Sequence, residues 1–261
     1  MYHSVLFTPK KDKEYTPMNT PYNTYTDFHL IPSKRPSFDA PEVDFYLTNE
    51  LEHRPISLVD SRRAEKIKRS ASWSFIVENG YDWTVVYTDL LHRLHGRICT
   101  IKLEDDPSFY YRGKVTVGNW SSEQHYSTIS INVEAEPYKY KDMVEEEFTA
   151  ARKTIAVNSD FIVPAIITLL PRTGISNLVI SGIARNRITL DPETITISSI
   201  EAGHEFVIDG VRKRITLDGS TEGTFLNNIT LWSFPTLLPG NNTIDVNSSV
   251  QTTISYEPRY L

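Results

Sequence analysis

Hydrophobic and polar positions follow two different periods in the first half of the chain. In residues 83–94, WTVVYTDLLHRL, apolar side chains recur at i, i+3, i+4, i+7 and i+8, which predicts an amphipathic helix with one buried face. This apolar stripe consists of Trp83, Val86, Tyr87, Leu90, Leu91 and Leu94. Residues 95–120 then predict a strand, an acidic Asp-Pro turn and a second strand. Beyond them a strand covered on one side is predicted, because apolar residues alternate with polar ones at Ile129, Ile131, Val133 and Ala135.

The second half shows no convincing helical period and is predicted to consist of short strands separated by turn residues. The predicted strands cover residues 176–181, 194–198, 205–217, 228–232, 243–246 and 252–256. Asp209-Gly210 is the strongest hairpin signal in the chain, since an Asp-Gly pair tolerates the positive φ angles of a type I′ turn. Strands at this spacing predict a β-sandwich.

A domain boundary is predicted where the apolar alternation stops, between residues 137 and 153. Glu145, Glu146 and Glu147 follow one another there, and such charge runs are typical of solvated linkers. We therefore predict an N-terminal domain at 1–145, a linker at 146–153 and a C-terminal domain at 154–261.

Composition narrows the function classes. The 29 aromatic residues (14 Tyr, 11 Phe and 4 Trp) favour β structure, and the formal net charge of −6 argues against tight nucleic-acid binding. The chain has one cysteine, so an intrachain disulfide is excluded, and Cys99 shares a strand face with Ile101 and Leu103, which predicts a small buried hydrophobe. A secretion signal and a long apolar run are not found, which predicts synthesis in a cytosol and no membrane insertion.

Two clusters of polar residues are candidates for chemistry. Asp89, His92 and His95 lie at i, i+3 and i+6 opposite the apolar stripe, where they suit either a metal site or a solvated helix face. Glu104, Asp105 and Asp106 offer paired carboxylates, as a glycosidase would, but Asp-Pro between two strands is more simply a turn. We predict no catalytic residues, no cofactor and no metal site.

Four segments in order along the chain resemble one protein family. They are NTYTDFHLIPSKRP (23–36), SASWSFIVENGYDW (70–83), LHGR with LEDDPSFYYRGKVTVGNW and HYSTISINVEAEPYKY (94–140), and FPTLLPGNNTIDV with the terminal YEPRYL. These segments are similar to the distal tail protein of long-tailed bacteriophages and prophages, relative to which KKDKEYTPMNTP (10–21) resembles a polar insertion. The resemblance implies a mainly β fold with one α-helix. An N-terminal tail-tube-like β-sandwich or roll with the helix would precede a C-terminal β-sandwich that is galectin-like or carbohydrate-module-like.

The resemblance also implies a structural role. The N-terminal (belt) domains of six copies would form a ring that joins the tail tube protein to the tail-associated hub or lysin, or to the receptor-binding machinery. The C-terminal domains would be peripheral, and DNA would pass through the channel without specific binding. The protein would be made in the bacterial host cytoplasm and located at the virion tail tip.

The alternative function is that of a carbohydrate-binding module that recognises cell-surface glycan; a cell-wall hydrolase ranks last because it lacks any motif. Exposure of the large aromatic residues separates packing from binding, because a sugar site needs an accessible ring. The candidate residues are Tyr110, Tyr111, Trp120, Trp232, Phe234, Tyr256 and Tyr260.

Overall fold

A computed structural model describes residues 5–9, 28–30, 37–38, 42–45, 67–78, 83–122, 126–186 and 191–260. The segment 10–21, which resembles an insertion, lies outside these residues. The chain divides into two compact units, Met1–Lys139 and Tyr140–Leu261. None of the helices in the described ranges has the length and apolar character needed to cross a membrane.

The first unit is built on one antiparallel sheet. Its elements are β1 (Val5–Pro9), β2 (Phe28–Leu30), β3 (Ser37–Phe38), β4 (Glu42–Phe45), β5 (Ile67–Glu78), α1 (Trp83–Leu94), β6 (Ile98–Leu103), β7 (Tyr111–Ser122) and β8 (Tyr126–Ala135); the short β9 (Lys139–Tyr140) follows. The strand order is β2-β1-β6-β7-β8-β5-β3, and β4 also pairs with β5. The predicted helix 83–94 and the predicted hairpin are confirmed, as β6 pairs with β7 from Ile98↔Lys114 to Ile101↔Tyr111.

One face of this sheet carries the core, and α1 packs on it. The predicted alternation in β8 is confirmed, because Ile129, Ile131, Val133 and Ala135 are all buried. Leu90 and Leu94 of α1 are 2% and 0% exposed, and Tyr87 and Leu91 pack beside them. Burial of each leucine contributes about 1.5–3 kcal/mol. Cys99 is also fully buried, as predicted, and burial raises the pKa of its thiol to about 12.

The second unit is a β-sandwich. Its strands are β10 (Val144–Phe148), β11 (Arg152–Val157), β12 (Val163–Leu170), β13 (Ile175–Arg185), β14 (Pro192–Ile200), β15 (Phe206–Asp209), β16 (Arg214–Leu217), β17 (Ile229–Thr230), β18 (Thr236–Leu237), β19 (Gly240–Val246), β20 (Gln251–Tyr256) and β21 (Arg259–Tyr260). A short 3-10 helix, Thr224–Asn228, precedes β17. One sheet has the order β10-β20-β12-β15-β16, with β18 on β12, and the other has β11-β19-β13-β14-β17.

The two sheets share one apolar core. Alternate residues of β12 (Val163, Ala165, Ile167 and Leu169) are fully buried, and the facing sheet supplies Ile180, Ile195, Ile197 and Ile244 among others. The fold class predicted from the sequence, mainly β with a C-terminal β-sandwich and one α-helix in the described residues, is confirmed.

The structure differs from the prediction at residues 146–153. Instead of a linker, these residues form the end of β10 and the start of β11. The sequence signal misleads because Val144 and Phe148 turn toward the core while the glutamates between them line a sheet edge. Glu146 pairs with Lys153 (Oε2 to Nζ, 3.1 Å), and Glu147 accepts a hydrogen bond from Gln251. Charged side chains on an edge strand discourage pairing with another chain.

Candidate functional site

The structure does not assemble the candidate metal ligands on α1. Asp89 forms an ion pair with Arg93 one turn along (Oδ1 to Nε, 2.9 Å). His95 lies just beyond the helix, where its Nδ1 accepts a hydrogen bond from the backbone N–H of Val117 at 3.2 Å. Within the described residues, no group of three histidine, cysteine or acidic side chains is arranged to hold a metal ion. The absence of a metal site stays a prediction for the whole chain.

The candidate carboxylates lie in the connection between β6 and β7. Glu104 and Asp105 are exposed, and Asp106 lies 3.8 Å from the Lys139 ammonium. The backbone closes the turn, since the N–H of Asp106 donates to the carbonyl of Leu103 at 3.1 Å. This geometry is that of a surface turn.

The candidate aromatic residues divide by exposure. Tyr110, Tyr111 and Tyr256 are buried, and Trp120, Phe234 and Tyr260 are half-buried. Trp120 packs edge-on against Tyr87, with 6.2 Å between the ring centroids. Trp232 alone among these candidates is largely exposed, at 81%. Among these candidates, Trp232 is therefore the aromatic side chain most accessible to a ligand.

Its neighbours along the chain hold Trp232 at the surface. The segment runs between β17 and β18, and Leu231 and Phe234 pack against the sandwich core on either side of it. Pro235 is buried, and its carbonyl accepts a hydrogen bond from the N–H of Ala165 in β12 at 3.0 Å. The backbone around Trp232 is thus anchored on both sides while the indole ring faces solvent.

The hairpin between β15 and β16 carries three consecutive cations. Asp209 and Arg214 are paired, so the connection contains four residues, 210–213, and Lys213 takes the positive φ of 53°. The hairpin predicted from Asp209-Gly210 is confirmed, but the predicted type I′ turn is wrong, since four residues connect the strands. The buried Asp209 carboxylate organises the longer loop by accepting hydrogen bonds from the N–H groups of Val211 and Arg212, both at 2.9 Å.

The arginines of this loop share one buried carboxylate. Arg212 and Arg214 approach Asp209 Oδ2 at 3.2 and 3.6 Å, yet their side chains remain 62% and 49% exposed. Lys213 is exposed between them. One carboxylate against three cations leaves a local excess of positive charge on a protein whose formal net charge is −6.

Strand β12 brings the cationic loop next to the Trp232 segment. The N–H of Gly210 donates to the carbonyl of Ala165 at 2.9 Å, and Ala165 in turn binds Pro235. Trp232 is three residues from Pro235 and Arg212 is two from Gly210, which limits the separation of the Trp232 and Arg212 Cα atoms to about 25 Å. We call Arg212, Lys213, Arg214 and Trp232 the Arg–Trp surface.

Only part of this surface is visible in the sequence. The sequence predicts Trp232 as a candidate anchor, whereas Arg212, Lys213 and Arg214 fall within the predicted strand 205–217. Their proximity depends on the contacts of Ala165 with Gly210 and Pro235, which join residues far apart in the chain.

A second polar cluster joins His204 and Asp218 on the surface. Nδ1 of His204 lies 2.6 Å from Oδ2 of Asp218, and Asp218 Oδ1 accepts a hydrogen bond from the N–H of Glu205 at 2.9 Å. The hydrogen bond to Asp218 raises the pKa of His204, and the same bond lowers the pKa of Asp218. Glu201 is 3.7 Å from Nε2 of the imidazole.

Comparison with solved structures relates the whole chain to phage proteins. The chain is similar to the Dit protein of phage SPP1 over 99% of both chains, with 13% sequence identity and a TM-score of 0.63. That protein is described as a paradigm of the hub adsorption apparatus in phages that infect Gram-positive bacteria. The similarity shows a shared fold.

A likeness to the baseplate of phage P2, in its activated conformation with Ca, covers 99% of this chain and 98% of that chain, at 9% identity and a TM-score of 0.41. No curated protein matches the sequence. Residues 160–260 match the family model of the siphovirus-type tail component, C-terminal domain. The predicted resemblance to phage distal tail proteins is therefore confirmed: residues 160–260 match the C-terminal domain of a siphovirus-type tail component, and the whole chain shares the fold of SPP1 Dit.

Proposed function

We propose that this tail component forms a ring at the tail tip that joins the tail tube protein to the hub or lysin, or to the receptor-binding machinery. The observation that carries the proposal is the family match of residues 160–260, and the fold shared with SPP1 Dit over the whole chain supports it. The role is structural rather than catalytic. The protein is made in the host cytoplasm and ends in the virion tail tip.

The division of labour follows the two units. We assign ring formation to the N-terminal domain, predicted at 1–145, and a peripheral position to the C-terminal sandwich. Separate apolar cores support this assignment, because each unit buries its own set of residues. A domain with its own core keeps its structure while its surface meets a neighbour.

Ring closure sets a requirement on the contacts between copies. Each copy must use two different surfaces, and the rotation between neighbours must return to the first copy, since a rotation that fails to close gives a filament. We propose six copies around a channel through which DNA passes without specific contacts. The formal net charge of −6 per chain supports weak contact with DNA.

Negative-stain electron microscopy of the concentrated full-length protein tests the proposal. Closed rings of uniform diameter with a central channel are the expected result, and class averages count the copies. A dilution series is the control, because assembly that depends on contacts between copies weakens as concentration falls. Open filaments, or particles that stay monomeric at every concentration, would contradict a self-closing ring.

Carbohydrate binding by the C-terminal sandwich is the second candidate function. The specific observation in its favour is Trp232, whose indole is 81% exposed although the segments on both sides are anchored in the core. This function is compatible with a role in the tail.

A further inference from the structure

We propose that the Arg–Trp surface binds a polysaccharide that carries anionic groups. A sugar ring would stack on the indole of Trp232, and the anionic groups would lie against Arg212, Lys213 and Arg214. This inference rests on the second candidate function, carbohydrate binding, whose ligand class it specifies, and it does not depend on ring formation.

The first step concerns the indole. An exposed tryptophan offers a flat apolar face and one N–H donor, which suit the mixed apolar and hydroxyl surface of a sugar. Leu231 and Phe234 are buried in part against the core, so little ordering remains for binding to impose on the segment. The Trp232 segment is thus already ordered before a sugar ring stacks on the indole.

The second step concerns charge. Asp209 is 5% exposed at its side chain, accepts hydrogen bonds from two backbone N–H groups of the loop and from Arg212, and forms an ion pair with Arg214. The outward charges are therefore cationic. Arginine suits this task because its planar donor fork matches carboxylate and phosphate oxygens.

The third step concerns size. The chain places the Cα atoms of Trp232 and Arg212 within about 25 Å of each other, both in segments held by Ala165. A polymer can span any separation within this limit with successive sugars. Each contact is weak alone, and linkage along one polymer raises the overall affinity.

The surroundings of Trp232 favour a sugar over an acidic protein segment. Protein interfaces concentrate their energy where a buried aromatic anchor is surrounded by other apolar contacts. Beside Trp232 the chain carries Thr230, which is exposed, and Ser233, and Asn228 lies nearby with its amide 3.4 Å from the Ser199 hydroxyl. Hydroxyl and amide groups are the partners that sugar hydroxyls use.

The test measures binding of three soluble polymers to the full-length protein by isothermal titration calorimetry at low salt. Polygalacturonate supplies sugar and charge, dextran supplies sugar alone, and polyglutamate supplies charge alone. We expect polygalacturonate to bind most tightly and its affinity to fall as salt is raised. No detectable binding of polygalacturonate, or equal binding of dextran, would overturn the proposal.

Variants then separate the two parts of the surface. Trp232→Ala should weaken polygalacturonate binding about fivefold, and Trp232→Phe should restore part of the loss. Arg212→Gln combined with Lys213→Asn should weaken binding about fivefold and reduce its salt dependence; asparagine tolerates the positive φ at position 213. Arg172→Gln is the matched control, because Arg172 is an exposed arginine in a different loop.

The pattern of losses decides the class of ligand. Polyglutamate that binds as tightly as polygalacturonate, with no loss in Trp232→Ala, would overturn the sugar proposal in favour of an acidic protein segment or simple charge attraction. An equal loss in Arg172→Gln would show that the net charge, rather than this surface, drives binding and would also overturn it.

Discussion

Among single residues, Gly210 controls how closely the β15–β16 hairpin approaches the rest of the sandwich. A Cβ atom there would lie 2.4 Å from the carbonyl oxygen of Pro235 and 2.5 Å from that of Ala165. Both are backbone atoms, which cannot rotate away as a flexible side chain would. The glycine is therefore required by close packing, whereas the sequence suggested a positive φ.

We predict that Gly210→Ala lowers the free energy of unfolding by about 1–3 kcal/mol, because an added methyl group overpacks this contact. Urea denaturation followed by circular dichroism measures the loss. Gly174→Ala is the matched control, since the nearest atom to a Cβ there is 3.9 Å away. A Gly210→Ala protein as stable as that control would show that the backbone yields at this point.

The His204–Asp218 pair makes a surface histidine respond to pH. We predict that His204 titrates above its ordinary pKa of 6.5 and that Asp218→Asn moves this pKa back toward 6.5, because the substitution removes the acceptor's charge. Asparagine keeps an oxygen for the Glu205 N–H and tolerates the φ of 48° at position 218. Nuclear magnetic resonance titration of the imidazole signals measures both pKa values.

The sign of the stability effect follows from the two pKa directions. A raised pKa of His204 gives stability that is complete below 6.5 and is lost as pH rises through the folded-state pKa. A lowered pKa of Asp218 gives stability that is present above 3.8 and is lost as pH falls through its folded-state value. The His204–Asp218 pair therefore makes its full contribution to stability between about pH 4 and 6.5. Glu201→Gln, the control, should shift the His204 pKa less, since Glu201 is the more distant carboxylate.

The helices and strands that the sequence predicts are those in which buried and exposed residues alternate with a regular period along the chain. Helix α1 is predicted to the residue because its stripe repeats with the helical period and one face is buried. Strand β12 is missed because VPAIITLL is apolar on both faces and lacks the alternation of a half-exposed strand. Strand β10 is missed because charge dominates it, although Val144 and Phe148 reach the core.

The candidate site is less predictable than the fold. Exposure of Trp232 depends on Leu231 and Phe234 turning inward, and the sequence alone does not reveal which of several aromatic residues stays outside. The cations meet this segment where Gly210 approaches both Ala165 and Pro235, and Ala165 is about 50–70 residues away in the chain. Contacts of that range have no local signal.

Strand β10 gives a prediction for isolated fragments. We expect 140–261 to fold alone with a cooperative melt and 154–261 to be markedly less stable, because the shorter fragment lacks a strand that pairs with β20 from Val144↔Tyr256 to Phe148↔Thr252. Thermal denaturation of both fragments measures the difference. Fragments of equal stability would show that β10 adds nothing to the sandwich and would favour the linker originally predicted at 146–153.

For the whole molecule, the formal net charge of −6 affects how strongly the protein holds DNA. We predict that the full-length protein binds duplex DNA with a Kd of about 10⁻⁴ M or weaker at roughly 0.15 M salt, since the formal net charge is −6. Fluorescence anisotropy with a labelled duplex measures the affinity. Arg212→Gln combined with Lys213→Asn is the control for residual attraction at the Arg–Trp surface.

Micromolar affinity with a steep salt dependence would contradict the proposed channel, because DNA must leave the virion without being held.

The glutamates of β10 affect what happens when the sheet edges of several copies come close together. Copies held at one tail tip would face each other at high local concentration, the condition under which open sheet edges join into continuous sheets. Glu145 and Glu147 are exposed and carry the same charge at that edge in every copy, so two such edges repel when they meet, whereas Glu146 is paired with Lys153. Charge at this edge therefore favours sandwiches that stay separate folded domains even when several copies lie close together.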